Sequence, residues 1–122
     1  MANSATVNTD AGIVEVVVDG PQTKESIVDL TKKAGRAAEQ ASVVYGQVLT
    51  LADASHMGQM DVATETAALL GFRVVSFDRL AIVVADEQLR TALEAAAKLS
   101  GKGSQVQFFD DQPAARSWLA GA

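Results

Sequence analysis

The only histidine of the chain, His56, stands in the stretch Asp53-Ala54-Ser55-His56. Aspartate, serine and histidine are the residue types of a nucleophile, its base and the group that orients the base. Neighbours along one loop rarely converge in that way, and no G-x-S-x-G turn is present to raise a serine above a sheet. A metal site needs three or four ligands, and the chain has one histidine and no cysteine. The stretch therefore reads as solvent-exposed loop polarity. Asp110-Asp111 and Asp86-Glu87 are paired carboxylates, which can move protons or hold Mg²⁺. Each pair, however, precedes an apolar helical pattern, where a cap uses the same residues. Gly101-Lys102-Gly103 lacks the G-x-x-x-x-G-K-[ST] spacing of a phosphate loop and follows a helical pattern instead of opening one, so it reads as a helix stop. With no convergent catalytic set, the chain reads as non-enzymatic and without a cofactor.

The elements that must carry these residues belong to one small domain. The chain has 122 residues, of which 48% are hydrophobic, enough for a single core without metal or disulfide. The absence of cysteine fits a reducing compartment. A formal charge of −5 and a pI near 4.7 argue against nucleic acid or an anionic membrane as partner. Met1 to Asn8 has no basic start and no apolar stretch, so no secretory signal is expected. No apolar run approaches a membrane span, which needs ~18–20 residues. A cytoplasmic protein without stable membrane insertion is expected.

Met1 to Ser4 are small and polar and are expected to fray. Ala5 to Asn8 and the β-branched run Ile13 to Val18, joined by Asp10-Ala11-Gly12, predict a hairpin. Thr23 caps a first helix, with Ile27, Leu30, Ala34, Ala37 and Ala41 on one face. Val43 to Ala52 reads as a third strand, followed by a polar loop over Asp53 to Gln59. Asp61 caps a second helix ending near Leu70, with Gly71 after its end. Phe72 to Asp78 reads as a connection with apolar anchors, and Leu80 to Ala85 as a buried strand. Asp86 caps a third helix, with Leu89, Leu93, Ala96 and Leu99 on its buried face. Gln105 to Phe109 is the last strand, and Asp111 caps a short final helix with Pro113 in its first turn and Trp118 and Leu119 at its apolar end. Strands joined through helices pair in parallel. The expected class is α/β: an open, mostly parallel five-stranded sheet with an antiparallel N-terminal edge strand and four helices, spanning 1–122 as one domain. The exposed edge leaves a homodimer open.

Two segments carry a family resemblance. Gly12-Ile13-Val14-Glu15-Val16-Val17-Val18-Asp19-Gly20-Pro21 is similar to the opening strand and turn of STAS domains. Leu80-Ala81-Ile82-Val83-Val84, then Val106-Gln107-Phe108-Phe109-Asp110-Asp111 and Ala114-Ala115-Arg116-Ser117-Trp118-Leu119, resembles the end of SpoIIAA-like (STAS-type) proteins. The resemblance implies an open β/α superhelical sheet with an N-terminal hairpin. In the anti-sigma-factor antagonist branch it also implies a phosphorylatable serine before the second helix, in a motif like D-S-S-G. The matching stretch is Met60-Asp61-Val62-Ala63-Thr64: Asp61 matches the aspartate, and Ala63 stands at the serine position. The phospho-switch is therefore not carried over. Thr64, one residue on, reads as a surface or capping threonine.

Two roles remain open. One is a regulatory or protein-interaction module, whose partner meets Asp53, Ser55, His56, Met57, Asp61 and Thr64. The other is a carrier or sensor of a small apolar or lipid-like ligand held by Phe72, Val75 and Phe77, with Val74 beside them. A deep pocket at Phe72 and Phe77 favours the second, a flat surface at His56 the first.

Overall fold

A computed structural model describes residues 3–121. The chain alternates strands and helices after an opening hairpin, β1 (Ser4–Asn8) and β2 (Ile13–Gly20). Helix α1 (Lys24–Tyr45) leads to β3 (Leu49–Met57), α2 (Val62–Val74) to β4 (Arg79–Val83), and α3 (Glu87–Leu99) to β5 (Val106–Phe109); α4 (Gln112–Ala120) closes the chain. The five strands form one sheet in sequence order. β1 runs antiparallel to β2 at one edge, and the remaining pairs are parallel. β3 therefore lies in the middle, with β4 as its parallel neighbour, as the apolar runs over 48–52 and 80–85 predict.

The strand period of two divides the core between the faces of the sheet. Val14, Val16, Val18, Leu80, Ile82 and Val84 meet α1, α2 and α3 on one face. Ile13, Leu49, Leu51, Ala81 and Val83 meet α4 on the other. Helix α1 begins in a reciprocal capping box, in which Ser26 N donates to Thr23 Oγ1 and Thr23 N to Ser26 Oγ. It ends at Gly46, whose φ of 72° suits a residue without a side chain.

Several boundaries differ from those expected. Val43 to Tyr45 finish α1 and do not begin a strand. β-branched residues cost a helix only tenths of a kcal/mol each, and Tyr45 gains a seat against the hairpin turn, its ring about 3.7 Å from where a Cβ on Gly12 would stand. Asp53 to Met57, expected as a loop, continue β3, because the long β2 supplies backbone partners as far as Gly20↔Met57. β4 stops opposite Asp53, so the last turn of β3 is paired on one side only. Helix α2 runs through Gly71 to Val74. Gly71 is a contact point within the helix and not its stop: a Cβ there would come within 2.8 Å of Thr31 Oγ1 on α1. Leu99 is 68% exposed and so stands off the buried face of α3. The start is tied down where it was expected to fray. Ser4 opens β1, and Asn3 donates to Gln22 Oε1 at 2.7 Å and accepts from Asp19 N at 3.0 Å. Met1 and Ala2 of that expectation lie outside the described residues.

Candidate functional site

The middle strand is made of small residues on its α1–α3 face. Thr50, Ala52 and Ala54 follow one another there, opposite Ala34 of α1 and Ala68 and Gly71 of α2. Small side chains on both sides leave space that Leu or Ile would fill. The result is an apolar cavity of about 130 Å³. Its floor is the sheet, with Val16 and Val18 of β2 on one side of Thr50–Ala54 and Leu80 and Ile82 of β4 on the other. Its walls come from Ile27, Leu30 and Thr31 of α1, Phe72 of α2 and Leu93 of α3. Val75 and Phe77, in the α2–β4 connection, complete it, and Met57 reaches it from the end of β3. The Lys102 ammonium lies 4.9 Å from the Phe77 ring centre and donates to Val75 O at 2.8 Å, which braces that connection from outside. Partial burial there lowers the Lys102 pKa.

The lining is apolar except for two hydroxyls. Thr31 Oγ1 donates to Ile27 O at 2.8 Å, the usual back-bond of a helical threonine. Thr50 is 5% exposed, and its Oγ1 has no hydrogen-bond partner within the protein. Its register neighbours are Val14 and Leu80. Thr50 thus holds an unpaired, solvent-inaccessible hydroxyl in the central strand.

The residues expected at a partner surface are dispersed. Asp53 faces the α4 side, where Gln112 Nε2 donates to its Oδ2 at 3.0 Å. Ser55 N and Oγ donate to Asp53 Oδ1. Partial burial pushes the Asp53 pKa up, but the Ser55 hydroxyl, the Ser55 NH and Gln112 outweigh it and hold the carboxylate below its ordinary range. Ser55 and His56 are exposed on the projecting end of β3, and His56 pairs in register with Asp19. Asp53, Ser55 and His56 do not form a hydrogen-bonded relay; the Asp53 carboxylate is occupied by Ser55 and Gln112. Asp61 caps α2 by accepting from Thr64 N at 2.8 Å. Thr64, expected at the surface, is fully buried. Its hydroxyl lies beside the Asp61 carboxylate, which it and the Thr64 NH lower in pKa, but it does not reach hydrogen-bond geometry. Among the described residues no cluster of three or more His, Asp or Glu side chains could hold a metal.

Phe72, Val75 and Phe77 share the cavity wall, whereas Val74 is turned outward and exposed. With Val28 and Leu70 it borders a separate open groove between α1 and α2. That groove is larger, about 400 Å³, but exposed side chains form its rim and no unpaired buried polar atom enters it. The cavity has the more apolar lining of the two. Sequence reasoning missed Thr50, Ala52 and Ala54. Their one visible signal is a lone hydroxyl in the apolar run Val48-Leu49-Thr50-Leu51-Ala52.

A family model described as SpoIIAA-like matches residues 13–120. A crystal structure of an uncharacterized protein of the DUF3478 family with a SpoIIAA-like fold, from Shewanella loihica PV-4, superposes with a TM-score of 0.62. It shares 22% identity and covers 97% of this chain and 92% of that one. At this identity the likeness concerns the fold. No curated protein matches the chain.

Proposed function

The chain belongs to the SpoIIAA-like family, and from that membership and its cavity we propose that it is a non-enzymatic binding module that takes up a small apolar ligand. The observation that carries this reading is the 130 Å³ space under α2, bounded by Phe72, Val75 and Phe77. Native cores are close-packed, so an apolar recess of this size, partly open to solvent, leaves apolar surface of a small domain unburied and costs stability. Apolar cavities of about 150 Å³ stay dry and take up benzene-sized molecules. A full acyl chain is too long for the space, which narrows "lipid-like" to something the size of one ring or a short chain.

A partner-binding role is compatible with the same site. Met57 borders the cavity, while Ser55 and His56, on the same strand end, are exposed. A partner seated on that end would respond to occupancy through Met57. With Ala63 at the serine position, control falls to the ligand and not to phosphate.

Titration of ¹⁵N-labelled protein with benzene tests the binding reading. Amide shifts should concentrate at 50–57 and 68–77. Ala52→Leu, which places three more carbons between Val16 and Ile82, should abolish them while leaving the rest of the spectrum dispersed. Saturating benzene without cavity shifts, or shifts indifferent to Ala52→Leu, would refute the reading. Native mass spectrometry of protein from its own host should show a retained small mass.

A further inference from the structure

We infer that Lys102 and Gln105, which do not themselves border the cavity, are positioning residues that set the size of ligand it accepts. This rests on the binding reading above and adds what limits the occupant. Nearly all of the lining is fixed by backbone ladders: β2, β3 and β4 supply the floor, and α1, α2 and α3 the walls. Val75 and Phe77 are the exceptions, because they lie in the α2–β4 connection, outside any helix or strand. Among the described residues, the backbone ties that connection at its two ends, where Val75 N donates to Gly71 O at 3.0 Å and Asp78 N to Val48 O at 2.8 Å. Between those ends the carbonyls are held by side chains from one other segment. Lys102 Nζ donates to Val75 O, and Gln105 Nε2 donates to Phe77 O, each at 2.8 Å.

The segment that carries these two donors is itself well anchored. Ser100 Oγ donates to Ala97 O at 2.6 Å and accepts from Lys102 N at 3.3 Å. Gln105 N donates to Lys102 O at 3.0 Å, closing the turn Gly103–Gln105. A Cβ on Gly103 would stand 3.4 Å from Lys98 Cα, so the turn is seated against α3. One braced connection therefore grips another that walls the cavity. A side-chain bond to a carbonyl is exchanged for water at small net cost, larger where the donor is charged. Val75 and Phe77 can swing outward when those two bonds are given up, whereas a lining residue in a helix or strand cannot move without breaking its ladder. The wall yields to a larger ligand at this point, and Lys102 and Gln105 decide how readily.

Benzene and indole, which has a second, fused ring, test this in the intact chain, with dissociation constants read from amide shifts. The unaltered protein should bind benzene more tightly than indole. Lys102→Met keeps an apolar stem against Phe77 and removes the charge and the donor; Gln105→Met keeps the length and removes the amide. Each should move the affinity ratio towards indole, and the two together by about tenfold or more, the worth of two such bonds. Lys98→Met, which removes an exposed charge at the end of α3, should leave the ratio in place. A general loss of stability weakens both ligands alike and does not move the ratio. Thermal melts and dispersed spectra show which variants fold, and the single variants carry the test where the double one does not. If neither benzene nor indole perturbs the cavity amides of the unaltered protein, the binding reading itself fails and this inference with it. If benzene binds but indole binds as tightly, or if the ratio is unchanged in the variants or moves equally in Lys98→Met, the cavity binds and its size limit is not set by Lys102 and Gln105.

Discussion

Replacing Thr50 with valine should make the empty protein more stable. The hydroxyl lies in the central strand, 5% exposed and without a partner in the protein. Burying such a group costs about 1–3 kcal/mol relative to an apolar one of the same shape. Valine keeps the branching at Cβ, the strand preference and the volume, so neither a new cavity nor a clash offsets the gain. We expect Thr50→Val to raise stability by ~1–2 kcal/mol. With an unfolding entropy of about 2.1 cal/mol/K per residue, a chain of this length gains about 4–8 °C in Tm. Thr50→Ser serves as the opposite arm: it keeps the idle hydroxyl, loses the methyl packed against Val14 and Leu80, and should lose ~1 kcal/mol. Differential scanning calorimetry without added ligand, backed by urea unfolding at constant m, measures both. A neutral or destabilised Thr50→Val would mean that the hydroxyl is satisfied in the folded protein, and the case for an unpaired group at the cavity floor would collapse.

Three further outcomes are expected. Asp53 is held below its ordinary pKa of 3.8 despite partial burial, so the unfolded state binds the proton more tightly. The stability this contributes is complete above that pH and is lost as pH falls through the lowered folded value. Asp53→Asn should accordingly flatten the acid limb of a stability–pH curve below about pH 4, and an unchanged limb would show that Ser55 and Gln112 do not hold the charge. Trp118 is partly buried against Phe109, with ring centres 5.8 Å apart, and under the Arg79 guanidinium, 4.9 Å from its ring; Trp118→Ala should cost ~2–3 kcal/mol, below the ~3–5 of a fully enclosed aromatic, and a loss under ~1 kcal/mol in urea melts would mean the ring does not anchor α4. Phosphopeptide mapping of protein from growing and starved cells should find no phosphate on Thr64, which is buried, and none on Ser55, whose hydroxyl already donates to the Asp53 carboxylate and would place a phosphate against it; substantial, condition-dependent phosphate at either residue overturns this.

The element order was legible because each unit carries its own punctuation. Thr23, Asp61, Asp86 and Asp111 all accept from the backbone NH three residues on, as their positions before apolar helical patterns suggest. Ends were harder to place where local and tertiary preferences compete. Val43 and Val44 look like strand residues but finish a 22-residue helix, because Gly46 and the Tyr45 contact extend it. Ser55-His56-Met57 look like loop residues but continue β3 past a bulge, with His56 and Met57 paired to β2, a partner 37 residues earlier in the chain at Gly20↔Met57. Gly71 has the composition of a stop but serves close contact with Thr31. For the site, the aromatic residues of the α2–β4 connection were readable as apolar anchors. The space they border was not, because a cavity is defined by the atoms that Thr50, Ala52, Ala54 and Gly71 lack, and small residues have no periodic signature of their own.

The two faces of the sheet are packed differently. On the α4 face, Leu49, Leu51, Ala81 and Val83 meet Ala115 and Leu119, with Phe109 and Trp118 closing the edge. Every position there is what a small buried layer requires, and the salt bridge at its rim, Arg116 with Glu15 at 2.8 Å, is partly exposed and worth little. On the other face the longest helix of the chain and two more cover the same strands, yet the middle of the sheet is left under-filled, with an unpaired hydroxyl at its centre. Residue supply does not explain the difference: the chain is 48% hydrophobic, and valine or isoleucine at 50, 52 or 54 would suit the strand. The under-filled space and the unpaired hydroxyl each oppose folding, and residues 72, 75 and 77, otherwise good core formers, border the space without filling it. An under-filled space and an unpaired hydroxyl on the same central strand are departures from an otherwise self-consistent fold.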